Sequence, residues 1–489
     1  MSTDLLALTA TEMVQAVRQK RISPRELVEA SLQQIKRKNP DLNAVISLRE
    51  EAALRDAERL TDCGQPFFGI PLLLKGLGQH FKDLPATNGN ILFRNQVAKE
   101  SENFTKALVK AGFIVLGQTN YPEFGFKNIT DSQMYGDAHN PWNLDYYPGG
   151  SSGGAGAAVA SKMVPIAAAS DGGGSIRIPA SWTSTIGLKP TRGRIVTGPN
   201  DWRSWQGAAS NFAITRSVED TARLLDVLQA LQPAAVFQVP LQEPSFVSQL
   251  GKPLRPCRVG YTIKSPVGTP VDTEAVNAVL KAAAFLAQAG FEVEEVTIPT
   301  DGRQLINAYY LMNEGETAAM FNQIEVALGR AVTVDDMEPL TWALYRTGCH
   351  ISAASYSKAL NVWDHAGYQM ATLHETYPLI LTPTTAKVAP RIDSPMVSDS
   401  QIAQMKDIDS LSPRAQQQFI FDQWLPALAH SPFTQQANLT GEPAISLPTY
   451  LTKAKLPLGI QLVAGKGQEG YLLQVAKLFE DHHQLILKK

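Results

Sequence analysis

Residues 148–194 read PGGSSGGAGAAVASKMVPIAAASDGGGSIRIPASWTSTIGLKPTRGR. Two serine-bearing glycine knots, Gly149-Gly150-Ser151-Ser152-Gly153-Gly154 and Gly172-Gly173-Gly174-Ser175, flank an Ala-rich segment. Glycine is favoured where backbone must take positive φ or approach another group closely, and it costs stability inside a regular element. Two such knots predict two loops brought to one place by the helix between them. Residues 155–163 are rich in helix formers and small enough to pack tightly. Successive N–H groups at a Gly-Gly-Gly-Ser turn can converge on one point, which is what an oxyanion needs.

Working outward, the run 125–147 lacks periodicity and reads as an ordered loop beside these knots. Gly125 at its start is grouped with the substrate-binding positions. Trp142, Tyr146 and Tyr147 either line a pocket or pack under the loop. Farther upstream, Pro71-Leu72-Leu73-Leu74-Lys75 is a continuous apolar run that suits a strand buried on both faces. It delivers Lys75 at its end. Desolvation disfavours an ammonium, and the neutral amine it leaves can act as a general base. The bland alternative is a lysine that snorkels from the strand end.

The rest of the chain follows an α/β rhythm. Thr9-Ala10-Thr11-Glu12 and Ser23-Pro24-Arg25-Glu26 are capping boxes that start two helices, with Ile22 and Leu27 as a hydrophobic staple on the second. A strand is predicted over 43–47 and a helix over 50–61. A second helix is predicted over 104–110, stopped by Gly112 and followed by a buried strand at 113–116 and a loop at 118–124. Downstream come a strand at 212–217, a helix at 218–231 and a Pro/Gln-rich excursion at 232–254. Residues 258–261, 274–289 and 291–296 read strand–helix–strand. Residues 300–376 read as mostly helical and hold Trp342, Tyr345 and Trp363; strands at 379–381 and 460–463 and a helix at 471–479 complete the pass.

Bulk properties narrow the function. The chain has 489 residues, 44% hydrophobic and 18% charged, with a net charge of −2. A sizeable core is expected, and neither nucleic acid nor an anionic membrane is recommended as a partner. No apolar run approaches the ~20 residues of a membrane helix, and the opening MSTDLLALTATEMVQ lacks a signal-peptide pattern. The three cysteines, Cys63, Cys257 and Cys349, give neither a disulfide framework nor a zinc spacing, so a cytoplasmic location is expected. The eight histidines show no ligand pairing; no metal and no cofactor are expected.

The quoted stretch resembles the amidase signature of the Ser-Ser-Lys amide hydrolases. That family has one Ser in GGSSGG and a second in GGSIRIP, twenty-four positions on, as Ser151 and Ser175 are here. Its upstream GxPxxxK is matched by Gly69-Ile70-Pro71-Leu72-Leu73-Leu74-Lys75, and its TNxPEF-like turn by Thr119-Asn120-Tyr121-Pro122-Glu123-Phe124. Segments 381–384 and 438–448 look like family segments too. The resemblance implies a large mixed β-sheet sandwiched between layers of helices, in a single domain over 1–489. The catalytic core would span about 65–230 and 377–489, with a covering region at about 232–376 that sets substrate choice. It implies Ser175 as nucleophile, Ser151 as a bridge on a cis peptide bond, and Lys75 as the base. The amides of Gly172, Gly173, Gly174 and Ser175 would form the oxyanion hole, and a small-molecule amide would be the substrate. Asp171 and Arg177 would brace the loop. A second copy of the chain is the one macromolecular partner left open. Within the family, segments 140–144 and 189–195 look most like stand-alone bacterial amidases of the aminohexanoate cyclic-dimer hydrolase type.

Two departures stand out. Gly76 replaces the Asp that often follows the Lys, and Trp182-Thr183-Ser184 replaces a common Cys-Gly pair. Four other readings stay open. A glutaminase subunit of a tRNA-dependent amidotransferase would need a partner subunit. A GxSxG elbow at Ser151 would need a preceding strand and a His such as His365 or His430. A phosphate cradle lacks its G-K-[ST]. A non-catalytic binding protein could use the same fold.

Overall fold

The buried apolar runs of the sequence assemble one sheet, in a computed structural model that describes residues 5–488. In chain order its strands are β1 (Val45–Leu48), β2 (Ile70–Lys75) and β3 (Phe113–Thr119). A small separate hairpin follows, β4 (Asp131–Ser132) and β5 (Gly136–Asp137), and then β6 (Ile166–Asp171), β7 (Ile186–Lys189) and β8 (Ser210–Thr215). The remainder are β9 (Arg258–Tyr261), β10 (Glu292–Glu295), β11 (Leu379–Pro383), β12 (Ala444–Leu451) and β13 (Pro457–Ala464). The 11-stranded sheet runs β1-β3-β2-β6-β8-β7-β12-β13-β11-β9-β10. β3, β2 and β6 are mutually parallel, as are β11, β9 and β10, and the pairs from β6 through β8, β7, β12 and β13 to β11 are antiparallel. The expected large mixed sheet between helices is therefore what the chain forms.

Helices cover both faces because their apolar stripes match the sheet. Both capping boxes are closed: Thr9 and Ser23 accept from the amides of Glu12 and Glu26, whose carboxylates accept from the cap backbone. Ile22 and Leu27, the staple, are buried. Pro24–Leu42 packs its face of Leu27, Val28, Leu32 and Ile35 into the core that holds β2 and β3.

Two stretches differ from expectation. The helix between the glycine knots is Gly153–Ala160, shorter than 155–163 and buried at every position. The rest of the Ala-rich run becomes β6, which carries the chain straight into the second knot. Alanine favours helices, but here burial between β2 and β8 overrides propensity. Within 232–376, the strand–helix–strand part adds β9 and β10 to the sheet edge, so it extends the sheet instead of covering the site. The helices Gly302–Leu328 and Pro339–Gly348 border the cavities at the site, and with Ala353–Thr376 they share a second core with Pro413–Leu428. Among the described residues no helix is long and apolar enough to cross a membrane.

Candidate active site

β2 and β6 lie side by side and parallel, so their C-terminal ends deliver Lys75 and Asp171 to the same edge of the sheet. The first knot is tied to the second through Ser152. Its amide donates to the Ser175 carbonyl at 3.3 Å, and its hydroxyl donates to the Ser170 carbonyl at 3.2 Å. The Gly150–Ser151 peptide bond is cis. Glycine at 150 is obligatory, because a Cβ there would lie 2.3 Å from the Ile129 carbonyl oxygen.

Lys75 is fully buried. Its Nζ lies 2.7 Å from Ser151 Oγ and 3.0 Å from Ser170 Oγ, and its amide donates to Gln79 Oε1 at 2.9 Å. Burial lowers its pKa to about 7, against a partial opposing pull from the charge of Asp171. The amine is thus substantially neutral at physiological pH. Gly125, at φ 70°, sits over Ser151: a Cβ there would be 3.0 Å from Ser151 Oγ.

The second knot is organised by one buried ion pair. Arg177 donates to both Asp171 oxygens, from Nε at 2.9 Å and Nη2 at 2.8 Å. Its remaining donors reach Asn438 Oδ1, Gln461 Oε1 and the Thr434 carbonyl. Asp171 also accepts from the amides of Gly174 and Ile176, at 2.7 and 3.1 Å. Burial by itself would raise this carboxyl, but the Arg177 guanidinium and Asn438 hold it well below the usual range. The brace expected from Asp171 and Arg177 is present, and it corrects one expectation. The Gly174 N–H is committed to Asp171, so Gly174 contributes room rather than an oxyanion donor. Its φ of 127° and the Thr434 side chain 2.3 Å from a notional Cβ both require glycine. The amides of Gly172, Gly173 and Ser175 make no such bond to Asp171.

Two cavities meet at Ser175. One, of about 340 Å³, is bordered by apolar groups such as Ile129, Tyr147, Ile178 and Trp424 and also by Lys127, Asp131 and Glu338. The other, of about 430 Å³, is bordered by Ser151, by polar groups such as His80, Arg192 and Asp201, and by apolar ones such as Phe104, Phe237 and Met320. Of the aromatics named from sequence, Tyr147 lines the first cavity. Trp142 instead donates from its indole N–H to the Thr183 carbonyl, and Trp182 is buried with its indole N–H on the Lys387 carbonyl. Trp342, Tyr345 and Trp363 pack in the helical layer, which presents Tyr309 and Tyr310 to the cavity in their place. Gly76 has its own reason: a Cβ would lie 2.4 Å from the Tyr121 ring.

Sequence reasoning missed Ser170, Gln79, Asn438, Trp205 and Tyr309. Ser170 precedes Asp171 on the unrecognised strand β6, Gln79 stands four residues beyond Lys75, Trp205 eleven beyond the quoted stretch, and Tyr309 and Asn438 far downstream. The elbow reading fails on geometry, because Ser151 follows irregular backbone and its partner is Lys75, while His430 bonds the Pro426 carbonyl. No group of side chains suited to a metal ion occurs among the described residues.

Comparison with known proteins gives a consistent picture. The profile of the Amidase family matches residues 26–473. The chain is 47% identical over 485 residues to the lipoamidase of Enterococcus faecalis, covering 99% of this chain but only 64% of that protein's length. It is 33% identical to the 6-aminohexanoate-cyclic-dimer hydrolase of Paenarthrobacter ureafaciens, over 96% of this chain and 94% of the relative. A solved structure of 6-aminohexanoate cyclic dimer hydrolase superposes with a TM-score of 0.89 at 32% identity, covering 99% of this chain and 98% of the other.

Proposed function

The chain belongs to the amidase family, and we propose that it hydrolyses a carboxylic amide through an acyl-enzyme on Ser175. The observation that carries the reading is the 2.7 Å contact between a fully buried Lys75 and Ser151, on a cavity that Ser175 also borders. Neutral Lys75 takes the Ser151 proton as Ser151 takes that of Ser175, and Ser175 Oγ attacks the amide carbonyl. The oxyanion is received by the amides of Gly172, Gly173 and Ser175. Lys75 returns the proton through Ser151 to the departing amine. Water, deprotonated by the same relay, then cleaves the ester and frees Ser175. No metal or cofactor has a step in this scheme.

The two cavities give the reaction a direction. Of the two cavities Ser151 borders the larger, so the amine that receives its proton leaves on that side. The acyl group then occupies the smaller cavity. Lipoamide, suggested by the relative's name, is one linear amide whose two halves would lie in separate cavities. The three free thiols suit a reducing cytoplasm.

The test is a panel of aryl, alkyl and cyclic amides, with wild type beside Ser175→Ala, Lys75→Ala and Ser151→Ala. Each substitution is expected to lower kcat/KM by about 10⁴ or more. Retained activity in Lys75→Ala would sink the scheme, and turnover of glutamine alone, only with a co-purified partner, would move the chain to the amidotransferase branch.

A further inference from the structure

The two cavities share only four bordering residues among those described: Gly125, Phe126, Ser175 and Trp205. Gly125 and Ser175 are small, so two rings form the partition. Phe126 and Trp205 are stacked, with centroids 6.0 Å apart and planes 12° from parallel, and Tyr309 packs edge-on to Trp205 at 6.1 Å. Trp205 is aimed there by an unusual backbone. Both Trp205 and Gln206 are left-handed, at φ 47° and 52°, which non-glycine residues adopt rarely and mostly where surroundings impose it. The surroundings do so: Gln206 Nε2 donates to Glu316 at 2.9 Å, and Arg192 Nε donates to the Gly207 carbonyl at 2.9 Å. The indole lies directly on the oxyanion loop, since a Cβ at Gly172 would come within 2.7 Å of it.

We propose that Trp205 selects linear over cyclic amides by walling the acyl cavity from the amine cavity beside Ser175. The inference rests on the amidase reading above. A linear amide can straddle the partition, with its acyl half on one side and its amine half on the other. A cyclic amide has those halves joined, so its ring must close through the space that the Trp205 indole fills. The same C–N bond is cleaved in both cases, and only access differs.

The experiment compares Nε-octanoyl-lysine with the cyclic dimer of 6-aminohexanoate. In wild type, kcat/KM is expected to favour the linear amide by at least about 100-fold, in line with what a steric block in a pocket achieves. Trp205→Ala is expected to shrink that ratio at least about tenfold, and Trp205→Leu, which keeps an apolar filler, to give an intermediate value. Ratios within one preparation do not depend on how much protein has folded. Calorimetric binding of both ligands to Ser175→Ala and to Ser175→Ala/Trp205→Ala supplies a readout independent of turnover. Selective binding of the linear ligand without hydrolysis in wild type would overturn the catalytic reading and leave the partition standing. Equal use or binding of the two ligands by Trp205-containing protein, binding of neither, or a ratio unmoved by both substitutions overturns the partition.

Discussion

Lys75 shows how one residue's environment sets its chemistry. Burial brings its pKa to about 7, and only the neutral form can accept the Ser151 proton. Activity is therefore expected to rise with pH through about 7 and level off above it. A pH profile of kcat/KM checks this, and an unchanged rate at pH 5 would remove Lys75 from the relay. Lys75→Arg should be inactive, because a guanidinium stays protonated across that range. Arg177 acts at the same scale by holding Asp171. Arg177→Met strands a buried carboxylate, and a loss of about 3–5 kcal/mol is expected in denaturant unfolding. Activity should fall as well, since the Gly174 and Ile176 amides are set by that carboxylate. The serines and the Asp171–Arg177 pair were legible in sequence because they lie in one long local motif, and Lys75 because an apolar run ends on it. Ser170 and Asn438 were not, because a hydroxyl on an Ala-rich strand and an Asn 267 positions from Asp171 carry no local signal.

At the scale of elements, helix starts were the most legible features, since capping is decided by neighbours in sequence. Ser23→Ala should cost about 1 kcal/mol in chemical denaturation while leaving activity in place. The long helix Gly302–Leu328 holds a less visible feature. Glu314 is buried, its Oε2 has no hydrogen-bond partner among the described residues, and burial raises its pKa well above the usual range. The fold therefore keeps the proton after the unfolded chain has released it, so stability falls as pH rises above the ordinary carboxyl range. Glu314→Gln, a neutral isostere, is expected to unfold at higher urea than wild type at pH 8, with a smaller gain at pH 5. A reversed order would show that the carboxylate has a partner in solution. β6 marks the opposite limit, since its six residues (Ile166–Asp171) include three alanines and only the pairing with β2 and β8 makes them a strand.

The whole molecule adds up such groups. Lys75 and Lys189 are both fully buried, each with its pKa brought by burial to about 7. Between about 7 and the ~10.4 of an unfolded lysine, the unfolded chain binds more protons, so their contribution to stability rises with pH. The urea midpoint of Lys189→Met should accordingly vary less between pH 7 and 9 than that of wild type. An identical slope would mean that Lys189 is solvated or paired in the fold.

The sequence by itself determined the α/β class, the capped helices, the central buried strands, and the places of Lys75 and Ser151, which touch, and of Ser175, which borders the same cavity as Ser151. These follow from local periodicity, capping and one long motif. Tertiary structure decided which amide of the second glycine knot is tied down, because Asp171 takes the Gly174 N–H only once β6 and the Arg177 helix are packed together. It also decided the division of the site into two cavities. That division depends on Phe126, Trp205 and Tyr309, which lie on separate segments and become neighbours only when the helical layer closes over the sheet.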